Sequence, residues 1–326
     1  QLQRINALYP SLTERDTKRI FFELPGELED ADAQISRLSA EYERLDSDLE
    51  EWVLNVPAMD QLANPLLIEN ARAEEQVRRL AFKELILRCW RRETDLDENE
   101  WPARNTHKLI FNGQLSGDLP ALNARLEHVT LMELTGDKRH VRVGEFLQAF
   151  PNLTALTVEQ HALQRIPDRV FELKQLRLLK LSNNQIRLTP NSIEQLSRLT
   201  ELTYLDLSDN TLTQAPDLRN MTRLTMVYLH NCRLRDIPTG IFSLPRLRAV
   251  DLSDNLIEHL PDDLLGMPLP LDDDSDVSGN PLSPESLTIL RTYYRQTGYE
   301  LGVEEATYDE NMEDITPPGT PEPMEE

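Results

Sequence analysis

The sequence predicts an α/β solenoid in which a parallel β-sheet lines the concave face, preceded by a helical region. One observation is a nine-residue pattern with leucine or valine at positions one, four and six. Another is its recurrence every 22 to 26 residues. A third is the helical spacing of apolar residues before the first copy. The five clear copies are LTALTVEQH from Leu153, LRLLKLSNN from Leu176, LTYLDLSDN from Leu202, LTMVYLHNC from Leu224 and LRAVDLSDN from Leu247.

This pattern is that of the leucine-rich repeat, in which position nine is usually asparagine or cysteine. Positions one, four and six point into a shared core, and an asparagine at position nine can satisfy backbone groups at the turn. A single repeat cannot bury its apolar face, so the copies are stable only as a stack of parallel strands. Weaker copies surround Leu109 and Val129, and a degenerate one ends at Asn280. We predict about seven or eight repeats over residues 106–282.

Residues 1–105 are predicted to be helical. A capping box from Ser11 to Glu14 starts a helix that Pro25 and Gly26 end. A long second helix ends before Pro57, and a third runs from about Asn70 to Arg92. The apolar positions of the long helix are Leu28, Ala31, Ile35, Leu38, Tyr42, Leu45, Leu49 and Trp52, and those of the third are Val77, Ala81, Leu85 and Cys89.

The apolar seam of the long helix has two explanations. It can form a dimeric coiled coil, or it can pack on the third helix as an intramolecular hairpin. The hairpin is favoured, because the seam covers only about three to four heptads.

The chain after the array divides into two segments. Residues 283–302 are predicted to form a capping helix, with Ser283 as N-cap, Pro284 in the first turn and Gly298 at the end. Residues 303–326 are acidic and interrupted by prolines, so we predict disorder there.

The composition is strongly acidic, with 57 Asp and Glu against 34 Lys and Arg and a formal net charge of -23. This balance argues against a nucleic-acid partner, which needs a concentrated basic surface. Only two cysteines occur, so neither a disulfide framework nor a zinc site is predicted. No long apolar run or signal peptide is present, so we expect a soluble chain without a membrane span. Because the chain begins at Gln1, we expect a fragment or a processed form.

The sequence contains none of the common hydrolase, phosphate-loop or zinc-protease motifs. Cys232 occupies position nine of its repeat and Cys89 lies on an apolar helix face, so both are expected in the core. The acidic segment from Leu271 to Asp276 lacks the glycine and the final glutamate of an EF-hand loop. We therefore predict no catalytic residue, no metal and no cofactor.

The residues between the leucines carry the functional information. Positions three, five and seven of each strand project from the concave sheet, opposite the core. In the central repeats they combine aromatic and methionine side chains with charged ones, as protein-binding surfaces do. An ordinary solvated sheet is the alternative. The predicted partner-binding residues are Leu178, Lys180, Tyr204, Asp206, Met226, Tyr228, His230 and Asp251.

Several segments resemble one family of bacterial proteins. The helix EYERLDSDLEEWV, the stretch ILRCWRRET, LSGDLPAL and then the repeats are similar to the NEL-type (IpaH-like) effector E3 ubiquitin ligases. SGNPLSPESLTILRTYYRQTGYELGV resembles the join between repeats and catalytic domain in that family. The resemblance covers nearly all of the chain up to Val303.

The resemblance implies a virulence protein that a bacterium secretes and that acts in the host cell cytoplasm. In the family, the repeats select a protein substrate and can restrain a C-terminal helical domain. A cysteine of that domain receives ubiquitin as a thioester. We expect this chain to lack such a domain, since neither Cys89 nor Cys232 occupies the corresponding place. The implied partners are a host protein and the missing catalytic domain. A free-standing repeat scaffold or inhibitor, and less favourably a small-ligand receptor, are the alternatives.

Overall fold

The computed structural model describes residues 2–23, 31–58, 64–98 and 106–304. Four helices come first: α1 Leu2–Leu8, α2 Glu14–Glu23, α3 Ala31–Leu54 and α4 Pro65–Trp90. The sequence did not single out α1, which has only 7 residues and so little periodicity. The predicted break at Pro25 and Gly26, the seam position Leu28 and the acidic tail beyond residue 304 lie outside the described residues.

The long helix α3 packs against α4 within the same chain. Its seam residues Ile35, Leu45 and Leu49 are completely buried. They share one core with Phe82 and Ile86 of α4. The seam is therefore filled from within the chain, as the hairpin alternative predicts.

The start of α4 differs from the prediction. The helix begins at Pro65 rather than near Asn70, because Asn64 is its N-cap. The Asn64 side-chain oxygen accepts a hydrogen bond of 3.0 Å from the Leu66 backbone nitrogen, and Pro65 occupies the first turn. Both features stabilise a helix start.

The predicted apolar face of α4 is wrong at two of its four positions. Val77 and Ala81 are exposed, and the buried stripe instead contains Glu75, Arg79 and Phe82. The two charged side chains are buried because each is partnered at the junction with the repeats. The stripe then continues through the buried Ile86 and Cys89.

The repeats form one parallel sheet of seven strands. Their bounds are β1 His107–Asn112, β3 Val129–Thr135, β5 Ala155–Glu159, β6 Leu178–Lys180, β7 Tyr204–Asp206, β8 Met226–Tyr228 and β9 Ala249–Asp251. The order is β1-β3-β5-β6-β7-β8-β9, so each strand pairs with the strand of the next repeat. Two short strands, β2 Gly117–Asp118 and β4 Val141–Arg142, form a second sheet. The predicted fold class, a leucine-rich repeat solenoid after a helical region, is confirmed.

Helices and 3-10 segments return the chain between strands. The helices are α5 Gly144–Leu147 and α6 Pro190–Ser197, and the 3-10 segments are Asp168–Glu172, Ile241–Ser243 and Asp262–Gly266. The cap of α6 is a reciprocal pair, since Thr189 and Ser192 each bind the other's backbone nitrogen through their hydroxyls. Such a box satisfies two donors at a helix start.

The core of the array follows the repeat pattern. Leu202, Leu205 and Leu207 are completely buried. At position nine, the Asn210 amide donates hydrogen bonds of 2.9 Å to the backbone oxygens of Leu181 and Leu207. Its oxygen accepts one of 2.9 Å from the Ile186 nitrogen. The side chain thus links two repeats and satisfies backbone groups that water cannot reach.

The last repeat and the following helix complete the stack. Asp276 forms a parallel bridge with Asp251 of β9, and the Val277 nitrogen donates to the Leu301 oxygen at 2.9 Å. The helix α7, Pro284–Thr297, has Ser283 as N-cap and ends at Gly298 in the left-handed conformation. The chain therefore covers the final core layer instead of leaving it open.

Candidate protein-binding surface

The eight predicted partner-binding residues converge on one face of four neighbouring strands. In the register of β6 to β9, one row of aligned residues consists of Leu178, Tyr204, Met226 and Ala249. A second row consists of Lys180, Asp206, Tyr228 and Asp251. His230 follows β8 on the same side. We call the eight predicted residues, without Ala249, the concave patch.

The first row continues beyond the predicted residues. Leu131 of β3 is aligned with Ala155 of β5, and Ala155 with Leu178. Six strands thus carry an apolar or aromatic residue in this row. Met226 is the most exposed of them, at 36%. Leu131 was missed, although the irregular copy around Val129 places it at position three.

Two tyrosines form the centre of the concave patch. The rings of Tyr204 and Tyr228 lie 5.4 Å apart between centroids and are tilted by 42°. This is an ordinary favourable aromatic geometry. Burial raises the pKa of Tyr204 to about 12, and Asp206, Tyr228 and Glu159 contribute in the same direction. The hydroxyl therefore stays protonated and can donate a hydrogen bond to a partner.

Carboxylates flank Tyr228 on both sides along the second row. The Asp206 carboxylate accepts a hydrogen bond of 2.9 Å from the Ser208 nitrogen, and the Asp251 carboxylate one of 2.9 Å from the Ser253 nitrogen. These bonds fix the orientation of both side chains. Burial raises the pKa of Asp206, opposed by the Ser208 bonds and by Lys180.

The two basic side chains of the concave patch are already engaged. Lys180 forms an ion pair of 3.2 Å with Glu159 of the preceding strand. His230 lies 2.8 Å from the Ser253 hydroxyl and 3.6 Å from Asp254. Neither contributes an unbalanced positive charge to the face.

Neither cysteine belongs to a reactive site. Both are buried and free. Burial raises the pKa of Cys89 and of Cys232 to about 12, which keeps both as thiols. The Cys232 sulfur donates to the Leu207 oxygen at 3.1 Å, in the place that asparagine takes in other repeats. A nucleophilic thiol would need the opposite environment, exposed and electropositive.

The described residues contain no cluster of three or more side chains suited to a metal ion. In the acidic segment from Leu271 to Asp276, the Asp272 carboxylate lies 3.5 Å from the Arg248 guanidinium. Leu271 is buried, and its nitrogen donates to the Tyr293 hydroxyl at 2.8 Å. No helix in the described part of the chain has the length and apolar character needed to cross a membrane.

Comparison with known families agrees with this architecture. The leucine rich repeat family matches residues 151–212 and 222–269. Rat volume-regulated anion channel subunit LRRC8D is 31% identical over 118 residues, which are 36% of this chain and 14% of the relative. Human oligodendrocyte-myelin glycoprotein is 34% identical over 107 residues, or 32% of this chain and 23% of the relative.

Solved structures give similar partial likenesses. The Leptospira interrogans LRR protein LIC12759 has a TM-score of 0.49 and 25% identity, covering 58% of this chain and 47% of that one. Internalin C2 of Listeria monocytogenes has a TM-score of 0.40 and 24% identity, covering 53% and 71%. The matched part spans less than a quarter of each curated relative described above. Fold and repeats together define a leucine-rich repeat module for protein–protein interaction.

Proposed function

We propose that this chain is the substrate-recognition region of a bacterial effector E3 ubiquitin ligase and that its concave patch binds the substrate protein. The observation that carries the binding role is the register of β6 to β9, which aligns Tyr204 with Met226 and Asp206 with Tyr228. Aromatic and methionine side chains are enriched at protein interfaces, which have polar rims, and tyrosine is enriched among binding hot spots.

The ligase connection rests on the segment from Asn280 to Gly302, which resembles the join of repeats and catalytic domain in the NEL-type ligases. In this segment α7 packs Leu290 and Tyr293 into the core. An end whose helix is packed into the core suits a platform on which a further domain is held. In this proposal the ubiquitin-accepting cysteine belongs to that further domain, since Cys89 and Cys232 are buried thiols.

The concave assignment is tested with a double variant, Tyr204→Ala with Tyr228→Ala. The matched control replaces two exposed leucines outside the sheet, Leu256→Ala with Leu269→Ala. Capture of a specific protein from host-cell lysate should be lost in the first variant and kept in the second. Equal capture by both would exclude the concave patch as the binding surface. Circular dichroism confirms that both variants are folded.

The alternative is a free-standing scaffold or inhibitor with no ligase partner domain. The encoding reading frame distinguishes the two. Several hundred further helical residues with a cysteine favour the ligase, and a stop codon near the codon for Glu326 favours the scaffold. A small-ligand receptor is less favoured, because it would need a concave pocket and the centre of this face is occupied by the Tyr204 and Tyr228 rings.

A further inference from the structure

Charge is distributed unequally along the concave face. The strands β7, β8 and β9 carry no lysine or arginine, whereas they carry Asp206 and Asp251. The next repeat adds Asp274 and Asp276 at the corresponding positions, and Asp276 is aligned with Asp251. Four carboxylates therefore lie on the C-terminal half of the sheet.

Within the described part of the chain, the cation aligned with these carboxylates is Lys180, which lies beside Asp206 but is paired with Glu159 at 3.2 Å. Asp206, Asp251 and Asp276 accept hydrogen bonds from the backbone nitrogens of the serines two residues further on. Backbone bonds orient a carboxylate but leave its charge unbalanced. The nearby Arg248 lies instead against Asp272. The face thus has a negative potential that a positive group on a partner would neutralise.

Tyr228 lies inside this negative region. The register aligns it with Asp206 on one side and with Asp251 on the other. Neighbouring parallel strands are about 4.8 Å apart, so each carboxylate lies one strand from Tyr228 and both attract a cationic group placed above its ring. Burial and the aspartates Asp274, Asp206, Asp251 and Asp272 raise the pKa of Tyr228, which reflects the same field.

The adjacent row supplies the apolar part of the surface. The tilted rings of Tyr204 and Tyr228 are in contact, and Met226 is exposed on the strand of Tyr228. A ligand that matches both rows carries a positive charge next to an apolar side chain. Acidic peptides and nucleic acids are repelled by the same carboxylates.

We propose that the concave patch takes a basic protein segment, with a lysine or arginine side chain held over Tyr228 between Asp206 and Asp251 and an apolar neighbour packed on Met226 and Tyr204. This inference rests on the concave binding role proposed above. Cation–π contact and charge pairing act together at such a place. Arginine suits it best, since its planar group both stacks and binds carboxylates.

The probe is a fluorescein-labelled heptapeptide of alternating leucine and arginine, compared with an analogue in which citrulline replaces each arginine. Binding is measured by fluorescence anisotropy at low and high salt. The arginine peptide should bind about tenfold or more tightly than the citrulline peptide, and less tightly at high salt. Asp251→Asn and Tyr228→Ala should each weaken its binding about tenfold, whereas Tyr228→Phe should not.

The matched control is Asp262→Asn, which removes the same charge from an exposed residue outside the sheet. Equal binding of both peptides, or equal losses in Asp251→Asn and Asp262→Asn, would overturn the inference. Asp251→Asn is also carried through the lysate-capture assay. If it captures the partner normally while the double tyrosine variant does not, the concave binding role stands and the basic-segment inference fails.

Discussion

Arg79 of α4 donates a hydrogen bond of 2.8 Å to the backbone oxygen of Ser116, in the first turn of the array beyond β1. The Ser116 nitrogen in return donates one of 2.8 Å to Glu75. Arg79 also donates to the Trp52 oxygen at 2.6 Å and lies 4.4 Å from the centroid of its ring. One ion pair therefore joins both long helices to the start of the repeats.

Loss of Arg79 should destabilise the protein strongly. Arg79→Ala removes the buried partner of Glu75 and leaves the Trp52 and Ser116 oxygens without their donor, at about 1–3 kcal/mol per buried group, although Arg78 still lies 3.2 Å from Glu75. Urea unfolding followed by circular dichroism measures the change. Arg72→Ala, at an exposed position of the same helix, is the control and should change the free energy of unfolding by less than about 0.5 kcal/mol. Equal stability of the two variants would show that the junction contributes little.

The repeat core should respond to single truncations. Leu205→Ala removes a completely buried side chain and should lower the free energy of unfolding by about 2–5 kcal/mol. Asn210→Ala leaves the buried Ile186 nitrogen without its acceptor, at a cost of about 1–3 kcal/mol, whereas the Leu181 and Leu207 oxygens keep Asn184 and Cys232 as donors. Gln185→Ala, at an exposed position, is the control. A neutral Asn210→Ala would contradict the linking role of position nine.

Stability should fall as the pH is lowered below about 6.5. Burial, followed by the charge of Arg92, lowers the pKa of His128 to about 3. Between about pH 3 and pH 6.5, the imidazole of His128 is therefore protonated in the unfolded chain but neutral in the folded chain. The contribution of neutral His128 to the free energy of unfolding is fully present above pH 6.5. It falls by about 1.4 kcal/mol per pH unit as the pH is lowered toward 3. The slope of unfolding free energy against pH between 7 and 5 should be smaller in His128→Gln and unchanged in the exposed control His259→Gln.

Neither thiol should react while the protein is folded. Both sulfurs are buried, and their raised pKa values disfavour the thiolate. Ellman's reagent should label both only after denaturation. In a ubiquitin-charging assay with this chain, no reducible adduct should form on Cys89 or Cys232. An adduct abolished by Cys89→Ser or Cys232→Ser would place ligase chemistry in the chain itself.

The regular spacing of the leucines was sufficient to predict the parallel sheet and to place the eight residues of the concave patch on its open face. Leucine positions fix which residues face the core, and alternation then fixes those on the opposite face. The sequence pattern did not place Asp274 and Asp276, the acidic residues of the next repeat, on the concave face. Their repeat lacks leucine at its first two core positions, where Asp272 and Ser275 stand instead.

The helical region was less predictable for a different physical reason. Periodicity counts apolar residues, so it favoured Val77 and Ala81 on α4. The structure buries Glu75 and Arg79 instead, because Ser116 supplies partners from about 40 residues further along the chain. Such a long-range partner cannot be inferred from the local pattern, and without it the burial of two charges would be unfavourable.

The central claim is that partners bind through the concave patch, and site-specific photocrosslinking tests it most directly. Benzoylphenylalanine replaces Met226 in one variant and the exposed Leu256, outside the sheet, in the other. Irradiation in host lysate, followed by mass spectrometry, identifies the attached protein. The claim predicts one dominant adduct at position 226 that is absent at position 256 and suppressed by Tyr204→Ala. Equal adducts at both positions, or none at 226 while the protein still captures its partner, would contradict it.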